Sequence, residues 1–151
     1  MKLTSLLFSC LFISGFSCAS CTIGDGNYVV CSSNEKNLLM MPDFSSGGGV
    51  NTYFYAIPPQ KCRITTQVDM VSSLYINNIL VQFARGCSNG YLSTFPVTNA
   101  GRNYVLTEFL LKKNIVVLSS KRLHISTFDA TGFKASLDNF IQMNGGTGGG
   151  I

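Results

Sequence analysis

Four cysteines beyond residue 20 limit the fold of this chain more than any other feature. They are Cys21, Cys31, Cys62 and Cys87, an even number that in an exported protein is expected to form two disulfides. Four cysteines permit three pairings, and the sequence alone does not choose among them. Segment 21–31, CTIGDGNYVVC, carries a GDGN turn between two β-prone arms, which predicts a hairpin with its two ends together. We therefore favour Cys21–Cys31 with Cys62–Cys87.

Residues 1–20 have the pattern of a secretory signal peptide. A lysine at position 2 precedes an apolar run over 6–16, and Ala19 and Ser20 are small residues of the kind that signal peptidase accepts. A transmembrane helix needs about 20 apolar residues, and this run is shorter and interrupted by serines and a glycine. Cleavage after position 19 or 20 leaves an even number of cysteines. The sequence therefore predicts a secreted, extracellular protein.

The remaining chain has the length of one domain, which we place at 21–143. A glycine-rich stretch at 45–49 is expected to be a flexible loop. The end of the chain, 144–151 (NGGTGGGI), has little side-chain surface to bury and is expected to be a flexible tail. No stretch after residue 20 is long and apolar enough to cross a bilayer, so no membrane span is predicted.

Short alternating runs predict an all-β sandwich or barrel. The expected strands are 52–57, 61–70, 74–83, 115–118, 123–128 and 133–137. Asn77 and Asn78 interrupt one of these runs with a bulge or a turn. Residues 102–113 (RNYVLTEFLLKK) fit either a helix or a strand, and their aromatic and β-branched content favours a strand.

Alternation within 123–128 predicts which side chains are buried. Leu123 and Ile125 are expected to face inward and to pack against Phe133 of the next strand. His124 is expected to face outward.

The side chains that support catalysis are too few to predict an enzyme. His124 is the only histidine, the seven acidic residues are dispersed, and none of the common hydrolase, P-loop or dinucleotide motifs occurs. The C-x-x-C pattern of Cys18 and Cys21 spans the predicted cleavage point, which argues against a redox or metal role. We predict no enzyme activity, no catalytic residue, no metal and no cofactor.

The charge pattern does not favour nucleic acid as a partner. The net charge is +4 at pH 7, and basic residues are adjacent only at Lys112–Lys113 and Lys121–Arg122. Surfaces that bind nucleic acid need denser clusters of cations.

Aromatic residues are the candidate binding residues. They lie before a Pro-Pro pair and after the last cysteine: Tyr53, Phe54, Tyr55, Tyr91 and Phe95. Exposed on the rim of a sandwich, they would bind a sugar or a protein. The alternative is that they pack in the core.

Residues 116–140 resemble the closing strands of CUB domains and of the secreted CUB-like domains. The matching residues are Ser119, Ser120, Leu123, Ile125, Asp129 and 132–135 (GFKA), with Cys62-Arg63-Ile64 upstream. The family's tryptophan after the cysteine is missing, and segment 87–91 lacks the aspartate that a calcium site requires. The resemblance implies a jelly-roll β-sandwich that binds proteins or carbohydrates and catalyses nothing.

These features together predict a secreted, non-catalytic recognition module, or a defence-associated one, that binds an extracellular protein or carbohydrate. The alternative is a small secreted hydrolase or a carrier of hydrophobic ligands. A deep apolar cavity would favour the carrier, converging acids with shifted pKa values would favour the hydrolase, and a filled core with an aromatic rim would favour binding. The oligomeric state is not predicted.

Overall fold

The computed structural model describes residues 21–45, 48–63 and 68–144. Its strands are β1 (Cys21–Gly24), β2 (Tyr28–Ser32), β3 (Leu38–Phe44), β4 (Val50–Ala56), β5 (Asp69–Met70), β6 (Leu74–Ile76), β7 (Ile79–Val81), β8 (Phe83–Ser88), β9 (Tyr91–Pro96), β10 (Asn114–Leu118) and β11 (His124–Asp129). Its helices are α1 (Asn99–Leu111) and α2 (Phe133–Asn144). The predicted signal peptide, residues 145–151 of the predicted tail and the middle of the 61–70 run lie outside the described residues.

The strands form two antiparallel sheets. The large sheet has seven strands in the order β1-β2-β3-β4-β9-β8-β5, and the small sheet has four in the order β11-β10-β6-β7. Inner-face side chains of the two sheets meet in one core. The prediction of an all-β fold with two disulfides is confirmed in part: the two disulfides are present and the fold is mostly β, but it also contains two helices.

The first hairpin forms where the cysteine spacing predicts it. Cys21 and Cys31 are directly opposite each other in the β1–β2 register, with their Cα atoms 4.1 Å apart, and a disulfide joins them. The turn between the strands needs positive φ at Gly26 (98°) and Asn27 (61°), which glycine and asparagine adopt at low cost. The second disulfide joins Cys62 to Cys87 and holds the segment before β5 against β8.

The two asparagines of the 74–83 run form a turn rather than a bulge. Asn77 and Asn78 have φ values of 44° and 72°, as a two-residue hairpin between β6 and β7 requires. The Asn77 side chain also joins three elements. Its Oδ1 accepts the Val116 N–H at 2.8 Å, and its Nδ2 donates to Glu108 Oε2 of α1 at 2.6 Å.

The strand predicted over 102–113 is wrong, because this segment belongs to helix α1. Thr98 caps the helix by accepting the Gly101 N–H on its hydroxyl at 3.0 Å. Val105 and Phe109, four residues apart, both become fully buried, since a helix places such positions on one face. A strand would also place Val105 and Phe109 on one face, but it would place Leu106 and Leu110 on the opposite face.

The strand predicted over 133–137 is also wrong, because Phe133 begins helix α2. The buried residues Phe133, Ser136, Leu137 and Phe140 recur at helical spacing. Gly132, at a φ of 85°, precedes the helix. The last strand implied by the resemblance to CUB domains is therefore replaced by a helix in this chain.

Phenylalanines from both sheets and both helices form the centre of the core. Phe54 of β4 has ring centroids 5.9 Å from Phe83, 6.4 Å from Phe109 and 6.0 Å from Phe128. Phe109 continues the cluster to Phe133, 5.4 Å away. Because each element supplies a ring, the two helices and the two sheets share one apolar interior.

A β-bulge changes which side chains of β11 are buried. Val117 is opposite Ser126, but Leu118 is opposite His124, so Ile125 is the extra residue on its strand. The bulge moves the following side chains to the opposite face from the one that simple alternation predicts.

The predicted inward position of Leu123 is also wrong, because Leu123 lies in the connection before β11 and not in the strand. Leu123 is 65 % exposed, whereas Ser126 and Phe128 are fully buried. Ile125 is half-buried, and His124 is exposed as predicted.

Candidate functional site

The large sheet has an inner face in the core and an outer face that points away from it. Met40 and Phe54 are opposite each other on the inner face. On the outer face Leu39 is opposite Tyr55, and Met41 is the next outward residue of β3. Helix α1 and the small sheet pack against the inner face, because the Phe54 ring contacts Phe109 of α1 and Phe128 of β11 there.

The structure separates the five candidate binding residues into two groups. Tyr53, Tyr55, Tyr91 and Phe95 lie on the outer face, and the rings of Tyr53 and Phe95 pack together with centroids 5.5 Å apart. Phe54 is only 6 % exposed and belongs to the core. It cannot contact a partner, because consecutive residues of a strand point to opposite faces.

A concavity of about 550 Å³ lies on the outer face. We call it the outer groove, and six of its residues define it: Tyr28, Val30, Leu39, Met41, Tyr55 and Tyr91. Tyr28 and Tyr91 are 38 % and 40 % exposed, and the other four are half-buried. These side chains come from β2, β3, β4 and β9, so the groove crosses four strands of one rigid sheet.

The outer groove is apolar with a polar rim. Asp43 is the only charged residue among the described residues that line it, and Ser88 and Asn89 of the β8–β9 turn add further polar groups to its lining. Burial raises the pKa of the Tyr55 hydroxyl above its usual value, so this hydroxyl is protonated at neutral pH and can donate a hydrogen bond.

The sequence interpretation found two residues of the groove, Tyr55 and Tyr91, and missed the other four. The LLMM run at 38–41 was not predicted as a strand, although two of its alternate residues, Leu39 and Met41, form the centre of the groove. Tyr28 and Val30 alternate in the same way with the buried Val29. This alternation within an apolar run was the available signal.

A polar cluster joins the β2–β3 turn to β11, and we call it the Glu35 cluster. Its members are Glu35, Asn37, His124, Ser126 and Thr127. Glu35 Oε2 accepts the Thr127 N–H at 2.8 Å and the Ser126 hydroxyl at 3.1 Å. The Ser126 hydroxyl also lies 2.6 Å from Asn37 Oδ1. His124 Nε2 lies 2.9 Å from Thr127 Oγ1 and 3.5 Å from Glu35 Oε1.

The geometry of the Glu35 cluster suits a structural hydrogen-bond network better than a catalytic triad. In a triad the acid and the nucleophile contact different ring nitrogens of the histidine, whereas His124 uses Nε2 for both contacts. The hydrogen bond from the Thr127 N–H lowers the pKa of Glu35, assisted by Ser126 and His124. Glu35 is thus held in the ionised form, as an acceptor for the turn.

Asp129 is the other described acid with a shifted pKa. Its carboxylate accepts the Thr131 N–H at 2.9 Å, and hydrogen bonds from Thr131 lower its pKa. A general acid of a hydrolase needs a raised pKa, so neither Glu35 nor Asp129 has the shift of such a group.

The described residues hold neither a cluster of metal ligands nor a membrane-spanning helix. Within 21–45, 48–63 and 68–144, no three side chains of His, Cys, Asp or Glu converge as a metal site would require. No helix in the described part of the chain has the length and hydropathy needed to cross a membrane.

Comparisons with protein-family models, with curated proteins and with solved structures find no match to this chain.

Proposed function

We propose that this protein is a secreted, non-catalytic recognition module that binds another extracellular protein through the outer groove. The observation that carries the proposal is one continuous sheet face on which tyrosines flank aliphatic side chains. Tyr28 and Tyr91 lie at its ends, and Leu39 and Met41 lie between them. Tyrosine and methionine are enriched in protein interfaces, and charged residues are depleted from the interface core.

A protein fits this surface better than a carbohydrate does. A sugar needs several polar groups directed at its hydroxyls, whereas Val30, Leu39 and Met41 offer none. Apolar side chains of a partner protein would cover these residues, and the rim residues Asp43 and Asn89 would meet polar groups of the partner. Tyrosine contributes large contact area with few rotatable bonds, as is typical of residues that dominate binding energy.

Export and family are part of the same proposal. Two disulfides are typical of proteins from an oxidising compartment, and the apolar pattern of residues 1–20 supports removal of a signal peptide. A CUB-like jelly-roll origin of the sheets is supported by the matching residues that follow β10, Ser119 and Ser120, and by Ile125 and Asp129 of β11. Helix α2 in place of the last strand would then be a departure specific to this chain.

Site-specific photo-crosslinking tests the binding proposal. A photo-reactive amino acid replaces Tyr91 at the groove, or Lys134 on the exposed side of α2 as the matched control. Each mature protein is irradiated in extracellular fluid of the source organism. We expect one protein adduct from position 91 and none from position 134.

The yield of the adduct must also depend on the apolar side chains of the groove. Leu39→Ser, which leaves the core intact, is expected to reduce its yield at least tenfold, since the residue lies at the centre of the groove. Leu123→Ser, at an exposed position of the small sheet, is the control and is expected to leave it unchanged. An adduct insensitive to Leu39→Ser, or binding to a glycan array that Leu39→Ser abolishes, would overturn the assignment to a protein partner.

A further inference from the structure

A second concavity of about 680 Å³ lies between the inner faces of the two sheets. We call it the inter-sheet cavity. Its base is formed by buried side chains of both sheets, Phe54, Phe83 and Ile76. All of its lining residues belong to the sheets and their connections, and it is within the size range of sites for small ligands, about 300–1,000 Å³.

The walls of the inter-sheet cavity carry apolar side chains that the core covers only in part. Leu38, Leu74 and Ile125 pack against buried core residues and line the cavity as well. Ile125 is the extra residue of the β-bulge, so the irregularity of β11 brings a large aliphatic group to the wall. The apolar surface of these residues favours an occupant with a hydrocarbon portion.

One cation belongs to this otherwise mainly apolar lining. Arg85 of β8 lies two residues after Phe83, so both occupy the same face of the strand. Asp69 is the residue opposite Arg85 on β5. Among the described residues, however, no carboxylate forms an ion pair with Arg85. The guanidinium therefore has donors available for an anionic group of a ligand.

We infer that the inter-sheet cavity binds a single-chain fatty acid. The hydrocarbon chain lies against the partly exposed side chains of Leu38, Leu74 and Ile125, and the carboxylate accepts hydrogen bonds from Arg85. Guanidinium and carboxylate are matched in geometry and charge. A single arginine suits a monoanion better than a phosphate group, which carries up to about two negative charges near neutral pH.

This site is distinct from the outer groove, because the two lie on opposite faces of the large sheet. Partner binding at the groove and fatty-acid binding in the cavity can therefore succeed or fail separately. Tyr91→Ala alters the groove alone and is the control variant for the cavity.

Displacement of a fluorescent fatty acid, cis-parinaric acid, from delipidated mature protein tests the inference. The competitors are laurate, its neutral analogue 1-dodecanol, and the shorter octanoate. Each CH₂ buried contributes about fourfold in affinity, so octanoate is expected to bind more than tenfold more weakly than laurate. Laurate is expected to bind more tightly than 1-dodecanol because only laurate has a carboxylate.

Variants separate the two parts of the site. Arg85→Gln is expected to weaken the binding of laurate at least tenfold and to leave the binding of 1-dodecanol unchanged. Arg85→Lys should recover part of the lost affinity for laurate. Asp69→Asn removes the nearby competing anion and is expected to strengthen the binding of laurate. Ile125→Phe fills the cavity and is expected to weaken the binding of both laurate and 1-dodecanol. A thermal melt confirms that this variant folds.

Three results would overturn the inference. The first is failure of laurate to displace the probe from folded wild-type protein. The second is an equal loss of affinity for laurate and for 1-dodecanol in the folded Arg85→Gln variant. The third is displacement of the probe by a lysophosphatidate at lower concentrations than by laurate, which would assign the head group to a phosphate.

Discussion

The phenylalanine cluster is the part of the core in which single side chains join the most elements. Phe109 contacts Phe54 of the large sheet, Phe128 of the small sheet and Phe133 of α2. Edge-to-face pairs of this kind add about 0.5–1.5 kcal/mol beyond the burial of the rings. Each ring therefore stabilises contacts between elements as well as its own position.

Phe133→Ala is expected to destabilise the protein by about 3–5 kcal/mol. The ring is fully buried, and its loss leaves a cavity between α1 and α2. Thermal or urea unfolding of the purified variant measures the change. His124→Ala is the comparison, since its side chain is 50 % exposed, and it is expected to change stability by less than about 1 kcal/mol. A loss of hydrolytic activity in a folded His124→Ala variant would contradict the non-enzymatic proposal.

Glu35 is expected to make the stability depend on pH in the acidic range. Its pKa is lowered in the folded state, mainly by the Thr127 N–H. The contribution is therefore fully present above the ordinary carboxyl pKa of 4.5 and is lost as the pH falls through the lower, folded value. Melting temperatures of wild type and Glu35→Gln should differ most near pH 7 and converge in acid.

A charge-matched control separates this effect from a general loss of negative charge. Asp25→Asn removes one carboxylate from the exposed β1–β2 turn. At pH 7 its melting temperature is expected to lie closer to that of the wild type than the melting temperature of Glu35→Gln does. A Glu35→Gln difference that stays constant from pH 7 to pH 3 would show that the charge of Glu35 does not stabilise the Glu35 cluster.

Turns and helices show which elements depend on local chemistry and which depend on their neighbours. The β6–β7 turn needs two residues with positive φ, and asparagine is among the few side chains that adopt it readily. Helix α1 has a local cap at Thr98, but it gains most of its stability by burying Val105 and Phe109 against the sheets. The turn is thus specified by its own residues and the helix largely by the core.

Asn77→Gly is expected to destabilise the protein by about 1–3 kcal/mol, because it removes side-chain hydrogen bonds to Val116 and Glu108. Glycine keeps the positive φ of the turn, so the backbone is not strained. Asn78→Gly is the matched control in the same turn and is expected to remain within about 0.5 kcal/mol of wild type. Equal effects of the two variants in urea unfolding would rule out a role for the Asn77 side chain.

The whole molecule combines two disulfides with one apolar core. The Cys21–Cys31 bridge closes the terminal hairpin of the large sheet, and the Cys62–Cys87 bridge joins β8 to the segment before β5. Both sheets bury their inner faces against the same phenylalanines. The outer groove lies apart from this core, and in the described part of the chain its residues Tyr28 and Tyr91 remain exposed.

The secreted protein is expected to begin at Ser20 or Cys21 and to contain no free thiol. N-terminal sequencing checks the first expectation, and secreted material beginning at residue 1 would contradict it. Thiol titration of the unfolded, unreduced protein checks the second and should give close to zero. A reduced sample is the control, and peptide mapping without reduction should recover both bridges; one or more free thiols would refute the two-bridge scheme.

Features that depend on a few neighbouring residues could be predicted from the sequence alone. The Cys21–Cys31 hairpin and the Asn77–Asn78 turn are examples, since cysteine spacing and tolerance of positive φ act within the segment itself. Strand β10 is another, because its apolar run suits burial in a sheet. Four of the five candidate binding residues lie on the outer face in the structure. The fifth, Phe54, lies in the core, and strand alternation within 53–55 would have predicted its different orientation.

Features that depend on surfaces supplied by distant segments were decided only by the tertiary structure. Helices α1 and α2 have sequences that fit either state, and the contacts of Phe109 and Phe133 with the core selected the helix. The β-bulge at Ile125 reversed the inward and outward positions of the residues that follow it in β11, and Glu35 meets His124 across 89 residues of chain. The outer groove and the inter-sheet cavity likewise exist only where several strands are packed side by side. Burial free energy belongs to the assembled core rather than to any one segment, so a local pattern cannot contain it.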